Sequence, residues 1–293
     1  MTEKDKLGGA FKLPGTSQRL SRIGYGAMQL PGPHVWGPPK DRETAIAVLR
    51  KAVSSGVNHI DTADFYGPEV ANELIRDALY PYDDDLVIVT KVGYMRGADK
   101  SWLPAKSSED LERSINANLK TLRLEAMDIV NLRVGNPQGP GEGSIEQSLK
   151  VLVALKKKGL IRNIGLSNVT LSQFNEATSI TDIVCVQNYY NVAQRADDDF
   201  IDTLAGQGIP YVPFFPLGGF SPLQSSALDE AARALKATPM QIALVWLYQR
   251  SPNILLIPGT SSMAHLNENL RIAEISIPPE LLTKLNSIAG RRQ

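Results

Sequence analysis

Eight short runs of branched and aromatic apolar residues punctuate the chain, and each is followed by a segment of helical period before the next begins. The runs fall at residues 21–26, 57–61, 86–91, 127–132, 161–166, 183–187, 211–214 and 254–257. LVIVTK and NILLIP are almost continuously hydrophobic, as strands are when helices cover one face and packed side chains fill the other. Between them, DRETAIAVLRKAVSSG, SEDLERSINANLKTL and SIEQSLKVLVALKKKG repeat apolar residues at the spacing of one helix face. Acids open these helices and bases close them. Ser108, Glu109 and Asp110 stand at one start, and Lys156, Lys157 and Lys158 precede Gly159 at one end, as the helix dipole and the C-terminal glycine preference require. A strand followed by a helix, repeated, implies a parallel sheet, and eight repeats favour a closed (β/α)8 TIM barrel, an α/β fold, over an open doubly wound sheet.

An open sheet would usually carry G-x-G-x-x-G after its first strand. Gly24 and Gly26 lack the third glycine, and Gly139, Gly141 and Gly143 follow no strand, so both clusters read as turns. The pieces left over are an N-terminal hairpin around residues 14–17, an extra helix at 228–235 and a terminal helix from Pro279. No linker or low-complexity tract divides the sequence, so one domain is expected over residues 1–293.

Composition then narrows the partner. The 31 basic and 31 acidic residues cancel, leaving no net field to attract nucleic acid or an anionic membrane, and a small molecule becomes the expected ligand. One cysteine, Cys185, excludes an internal disulfide and suits a reducing compartment. MTEKDKLGGAFKL lacks the apolar core of an export signal, and no stretch approaches the roughly 18 apolar residues of a membrane span. The expectation is a soluble, cytoplasmic protein.

In such a barrel the working groups sit where strands end and the following loops begin. The second run ends in HIDTADFYG, which puts Asp61 on the lip and Tyr66 in the next loop. The third ends in VIVTK, which puts Lys91 on the adjacent lip, about 5 Å away by strand spacing. A tyrosine holds its proton with a pKa of about 10 in water, and a nearby ammonium favours the ionised form. Tyr66 can therefore give a proton to a carbonyl oxygen. Asp61 supplies the partner that keeps a buried Lys91 charged. Singly, a strand-end Asp is often a helix cap, a loop Tyr is usually packing, and a Lys can snorkel; it is the joint pattern that points to chemistry.

From about residue 20 to 285 the sequence resembles the aldo-keto reductases. DTADFYG and VTK carry the Asp, Tyr and Lys of that family; GLSNV, VQNYYN, PLGG and IPGTSSMAHLNENL follow in the family's order at the ends of the fifth to eighth runs. The resemblance implies reduction of an aldehyde or ketone by a nicotinamide cofactor, with Asp61, Tyr66 and Lys91 catalytic. It assigns Ser167, Asn168 and Gln187 to the nicotinamide carboxamide. Phe214 stands where the family commonly stacks a tyrosine on the nicotinamide, and stacking needs only a π face. Gly218 and Gly219 fall to the pyrophosphate, and Thr260, Ser261, Ser262, His265 and Asn269 to the adenosine phosphate near a helix N-terminus. Gly26, Ala27, Met28, Phe215, Pro216, Leu217, Ile257 and Gly259 complete the expected cofactor groove.

Two departures stand out. Places where the family often has a Lys or Arg for the 2′-phosphate hold Gly259 and His265, so NADPH is favoured over NADH only by a weaker clamp. After the fourth run, Arg133 occupies the place of the family's catalytic His, and arginine keeps its charge. Its permanent cation can orient a carbonyl, tune Tyr66, or hold an anionic oxygen of the substrate. Trp36, Tyr94, Trp102 and Phe220 lie in or beside the same loops and are candidate substrate contacts. His34, His59 and His265 have no metal-ligand companions, so no metal is expected. The leading reading is an NADPH-dependent reductase of an aldehyde, pyridoxal among the candidates. The alternatives are a cofactor-binding sensor or regulatory subunit, and a barrel isomerase or aldolase using Lys91 as a Schiff base.

Overall fold

A computed structural model describes residues 7–136, 139–218 and 225–288. Its strands are β1 (Ala10–Lys12), β2 (Arg19–Ser21), β3 (Tyr25–Gly26), β4 (His59–Asp61), β5 (Val87–Val92), β6 (Tyr94–Arg96), β7 (Trp102–Pro104), β8 (Met127–Arg133), β9 (Ile161–Ser167) and β10 (Val186–Gln187). Its α-helices are α1 (Arg42–Ser54), α2 (Val70–Leu79), α3 (Ser108–Leu122), α4 (Glu146–Lys157), α5 (Leu171–Thr178), α6 (Asp198–Gly206), α7 (Ser226–Leu235), α8 (Pro239–Arg250), α9 (Met263–Leu270) and α10 (Pro279–Asn286).

Local chemistry sets these boundaries. Asp41 caps α1 by accepting from the Thr44 amide, and Ser107, one residue before the expected start, caps α3. Thr170 with Gln173 and Thr238 with Gln241 form reciprocal capping boxes at α5 and α8, satisfying amides that a helix start leaves unpaired. No helix among the described residues is long and apolar enough to cross a membrane.

Six strands form one parallel sheet in the order β10, β9, β8, β5, β4, β3. Single parallel bridges carry the ring onward, from Val186 to Tyr211, from Tyr211 to Ile254, and from Leu256 to Ile23. The seventh and eighth runs thus take their places in the circle as bridges rather than extended strands. Pro210 and Pro213 flank Tyr211 and Val212, and Pro252 and Pro258 bracket the eighth run; proline has no N–H to give a ladder.

Alternation along the strands separates two cores. Ile60, Ile88, Val130, Leu132, Ile164 and Leu166 pack outward against helix residues such as Leu49, Ile75, Ile115 and Leu152. Val87, Val89, Ile129, Cys185, Val212, Leu255 and Ile257 point inward and pack with Leu13 and Leu20 of the expected N-terminal hairpin, β1 with β2. That hairpin seals the end where the strands begin, tied down by the Asn58 side chain, which accepts from the Ser21 amide at 2.8 Å. Space inside is tight enough to dictate a glycine: a Cβ on Gly24 would lie 2.1 Å from His59 Nε2. The expected extra helix and terminal helix are α7 and α10, and Trp246 Nε1 of α8 donates to Asn286 of α10 at 2.8 Å.

Candidate active site

The strands end in a cavity at the opposite mouth. It is lined by Gly26, Met28, Gln29, Asp61, Phe65, Tyr66, Lys91, Tyr94, Trp102, Arg133, Phe214, Phe215, Pro216, Leu217, Ile257, Pro258 and Gly259. Residues from six of the eight βα units therefore meet in one place, which the sequence alone had spread over more than two hundred positions. Gly26 and Gly259 are required by close backbone approach. A Cβ on Gly26 would lie 2.5 Å from the Ile257 carbonyl oxygen, and one on Gly259 would lie 2.6 Å from that of Gly26.

Lys91 lies at the centre. Its ammonium donates to Asp61 Oδ1 at 2.5 Å and to the Thr62 carbonyl at 3.0 Å, and sits 4.9 Å from the centre of the Tyr66 ring. All three side chains are buried. Burial pulls the lysine pKa down, but the charge of Asp61 and the proximity of Tyr66 outweigh it, and the net direction is up. Lys91 is therefore a fixed cation beneath the tyrosine ring.

Arg133, at the end of β8, enters the same space. Its guanidinium donates to Ser167 Oγ at 3.3 Å and lies 4.7 Å from the centre of the Phe214 ring and 5.8 Å from that of Tyr94. Burial lowers its pKa, and Tyr66, Tyr94 and Asp61 oppose that shift; Tyr94 is itself raised by burial, with Arg133 opposing.

The carboxamide side of the expected cofactor site is built from amides whose orientation is fixed. Gln187 Nε2 donates to Asp61 Oδ2 at 2.8 Å, and Asn168 Nδ2 donates to the carbonyls of Asn136 and Gly139. Neither amide can flip without setting oxygen against oxygen. Asn168 Oδ1 and Gln187 Oε1 are then left buried with no hydrogen-bond partner among the described residues, a costly arrangement unless something donates to them. With Ser167 Oγ beside them, two acceptors and a hydroxyl match a primary carboxamide, which offers two donors and one acceptor. The residues present fit a nicotinamide.

The remaining expected positions divide. Thr260 is buried, and its Oγ1 accepts from the Ser262 amide; Ser262 caps α9 by accepting from His265 N. His265 is exposed, and Asn269 is buried. Ser261 lines a neighbouring cavity with Lys40, Asp41 and Thr44, which shares Met28 and Gln29 with the first. Ala27 is buried behind Met28 in a short 3-10 turn. Gly218 adopts φ 92° and donates its amide to Phe215 O. Gly219 and Phe220 lie outside the described residues.

Of the substrate candidates, Tyr94 and Trp102 line the cavity and Trp36 does not. Trp36 instead stands 5.2 Å from the Arg96 guanidinium, whose other neighbour is Trp102 at 4.3 Å. Arg96 also donates to the carbonyls of His34, Val35 and Lys100. It ties the loop after β3 to the β6 and β7 hairpin, so Trp36 is spent on that tie. Phe65 was not anticipated: its ring meets Tyr66, Trp102 and Tyr94 edge-on at 5.4, 5.7 and 6.5 Å. The available signal was its place in DTADFYG, directly before Tyr66.

Comparison with known proteins agrees with this geometry. The sequence model described as the Aldo/keto reductase family matches residues 22–289. The chain is 60% identical over 275 residues to pyridoxine 4-dehydrogenase of Escherichia coli (strain K12), covering 93% of this chain and 96% of that protein. Among solved structures, the thermostable aldo-keto reductase Tm1743, in complex with the inhibitor epalrestat, superposes with a TM-score of 0.79 at 30% identity, covering 96% and 99% of the two chains. An aldo-keto reductase from Klebsiella pneumoniae in complex with NADPH shares the fold at 22% identity and a TM-score of 0.78, over 97% and 96%. With the match spanning nearly all of its length, and an acid, a lysine and a tyrosine meeting at the mouth of its barrel, this chain is an oxidoreductase that belongs to the aldo/keto reductase family.

Proposed function

We propose that the protein reduces an aldehyde with NADPH, Tyr66 giving the proton to the carbonyl oxygen, and that a small aromatic aldehyde of the pyridoxal type is its substrate. One observation carries the reading: Tyr66, the Lys91–Asp61 pair and the unpartnered acceptors of Asn168 and Gln187 belong to one buried neighbourhood. NADPH would supply the hydride. Ser167, Asn168 and Gln187 would hold its carboxamide, while Phe214, Phe215, Pro216, Leu217 and the segment from Ile257 to Asn269 would carry the rest. Lys91 keeps its charge through Asp61 and lowers the cost of leaving negative charge on Tyr66. Phe65, Tyr94 and Trp102 offer flat apolar walls to an aromatic ring. The 60% identical relative is a pyridoxine 4-dehydrogenase, and its substrate class fits such walls. A reducing, cytoplasmic setting suits the buried Cys185, whose thiol is pushed up to about 12 by burial, with Asp61 adding to it.

Following nicotinamide absorbance against a panel of aldehydes, with each reduced cofactor in turn, tests this directly. NADPH oxidation is expected with pyridoxal and other aromatic aldehydes, faster than with NADH. Tight NADPH binding without turnover of any aldehyde would favour the sensor reading, and no binding of either cofactor would overturn both. His265→Ala should weaken NADPH more than NADH, since only NADPH carries the 2′-phosphate.

A further inference from the structure

The cavity wall formed by Phe214 is covered by a cation that has no counter-ion among the described residues. Tyr189 stacks along Phe214, with ring centres 5.8 Å apart and planes at 17°, and Phe215 meets it edge-on at 5.3 Å. The side left to the cavity is where the Arg133 guanidinium sits, 4.7 Å from the ring centre. Among the described residues its one hydrogen bond goes to Ser167 Oγ, and no ion pair includes it.

These two contacts, an aromatic face and the Ser167 hydroxyl, are the ones assigned above to the nicotinamide. The coincidence has a chemical basis. A guanidinium is flat and donates hydrogen bonds from its edge; a nicotinamide ring with its carboxamide has the same two properties. Both cannot occupy the same face of Phe214.

Arg133 has one other ring within reach. Tyr94 lies 5.8 Å from it on the substrate side of the cavity. The approach there is opposed by Lys106, whose ammonium is 5.9 Å from the Tyr94 ring and is held by the Val134 carbonyl. Two cations facing one ring repel unless an anion lies between them.

We propose that Arg133 is a stand-in for the nicotinamide: its guanidinium holds the Phe214 and Ser167 contacts until the cofactor ring claims them, and then turns to the Tyr94 side, where it reads an anionic oxygen on the substrate. This rests on the cofactor reading above and extends it. The residue that replaces the family's histidine thereby couples the two halves of the site. The substrate class that follows is an aldehyde bearing a phenolate or carboxylate next to the reacting carbon.

Competition of this kind is measurable without turnover. Dissociation constants for NADPH and for adenosine 2′,5′-bisphosphate, which lacks the nicotinamide, should be measured by calorimetry on the wild-type protein, Arg133→Met and Arg133→Gln. The expected result is that NADPH binds both variants more tightly, by on the order of two- to thirtyfold, the range a displaced cation–π contact spans. The bisphosphate should bind all three proteins alike. Unchanged or weaker NADPH binding in both variants would overturn the proposal while leaving the cofactor reading intact, and equal tightening of the bisphosphate would overturn it in favour of a general charge effect. Failure of NADPH to bind any of the three proteins would overturn the cofactor reading and this inference together.

Discussion

The side chains that β5 sends into the barrel run Val87, Val89, Lys91, and the change in kind at the third repeats around the ring. Near the closed end, Val87, Ile129 and Leu255 pack on Leu13 and Leu20, an apolar layer. Four residues further along β5 and β8 stand Lys91 and Arg133, and β4 and β10 end in Asp61 and Gln187, charged or polar and equally buried or nearly so. Between the two lies His59, with both ring nitrogens unpartnered and its pKa pushed down to about 4 by burial. Strand pairing is indifferent to this change, since main-chain bonds hold both ends. The closed end therefore answers for stability and the open end for chemistry, a division by position along the strand rather than by strand.

Three experiments press on that division. The largest effect belongs to the open end: Tyr66→Phe removes the proposed proton donor and should lower kcat by roughly 10² to 10⁴, with thermal midpoint and NADPH affinity near wild type. Retention of full aldehyde reduction would show that another acid serves. At the closed end, Leu255→Ala should cost about 2–5 kcal/mol in denaturant unfolding, the range for emptying a packed leucine site, while the folded fraction keeps its kcat/KM. A large loss of kcat/KM in folded protein would show that the floor shapes the site after all.

The smallest effect concerns titration. His59 is neutral in the fold, with a pKa of about 4 against 6.5 in the unfolded chain, so the unfolded state binds the extra proton and stability rises with pH between those values. Asp64, in the loop beyond Asp61, is pushed up to about 7 by burial, with hydrogen bonds from Ser114 and Asn118 opposing. For it the folded state holds the extra proton, and stability falls as pH rises from about 3.8 to about 7. The two oppose each other below pH 6.5. Asp64→Asn should expose the His59 slope, at most about 1.4 kcal/mol per pH unit, in urea midpoints taken from pH 4.5 to 6.5. A flat profile in the variant would mean that His59 does not report the buried interior.

Much of this was legible in the sequence because period and order survive in one dimension. Eight alternating units gave the barrel, and the residues ending each run gave Asp61, Lys91, Arg133, Ser167 and Gln187 their common mouth. What was illegible depended on direction. Trp36 and Trp102 read alike as loop aromatics and both stand against Arg96, yet only Trp102 lines the cavity. Arg133 was recognisable as a substitution for the family's histidine, but its contact with Phe214 joins residues 81 positions apart, which no local pattern encodes. The thin seventh and eighth strands follow from prolines visible in the sequence, whose effect on pairing appears only once their neighbours in the ring are known.

The contact between Gly24 and His59 has an evolutionary reading. Because even a methyl group at residue 24 would overlap the imidazole 2.1 Å away, the two positions cannot drift separately. A lineage that enlarges residue 24 must first shrink residue 59, and one that keeps a ring at 59 holds residue 24 at glycine. Two sites 35 residues apart in the gene are thus inherited as a single choice, made in the layer just below Asp61.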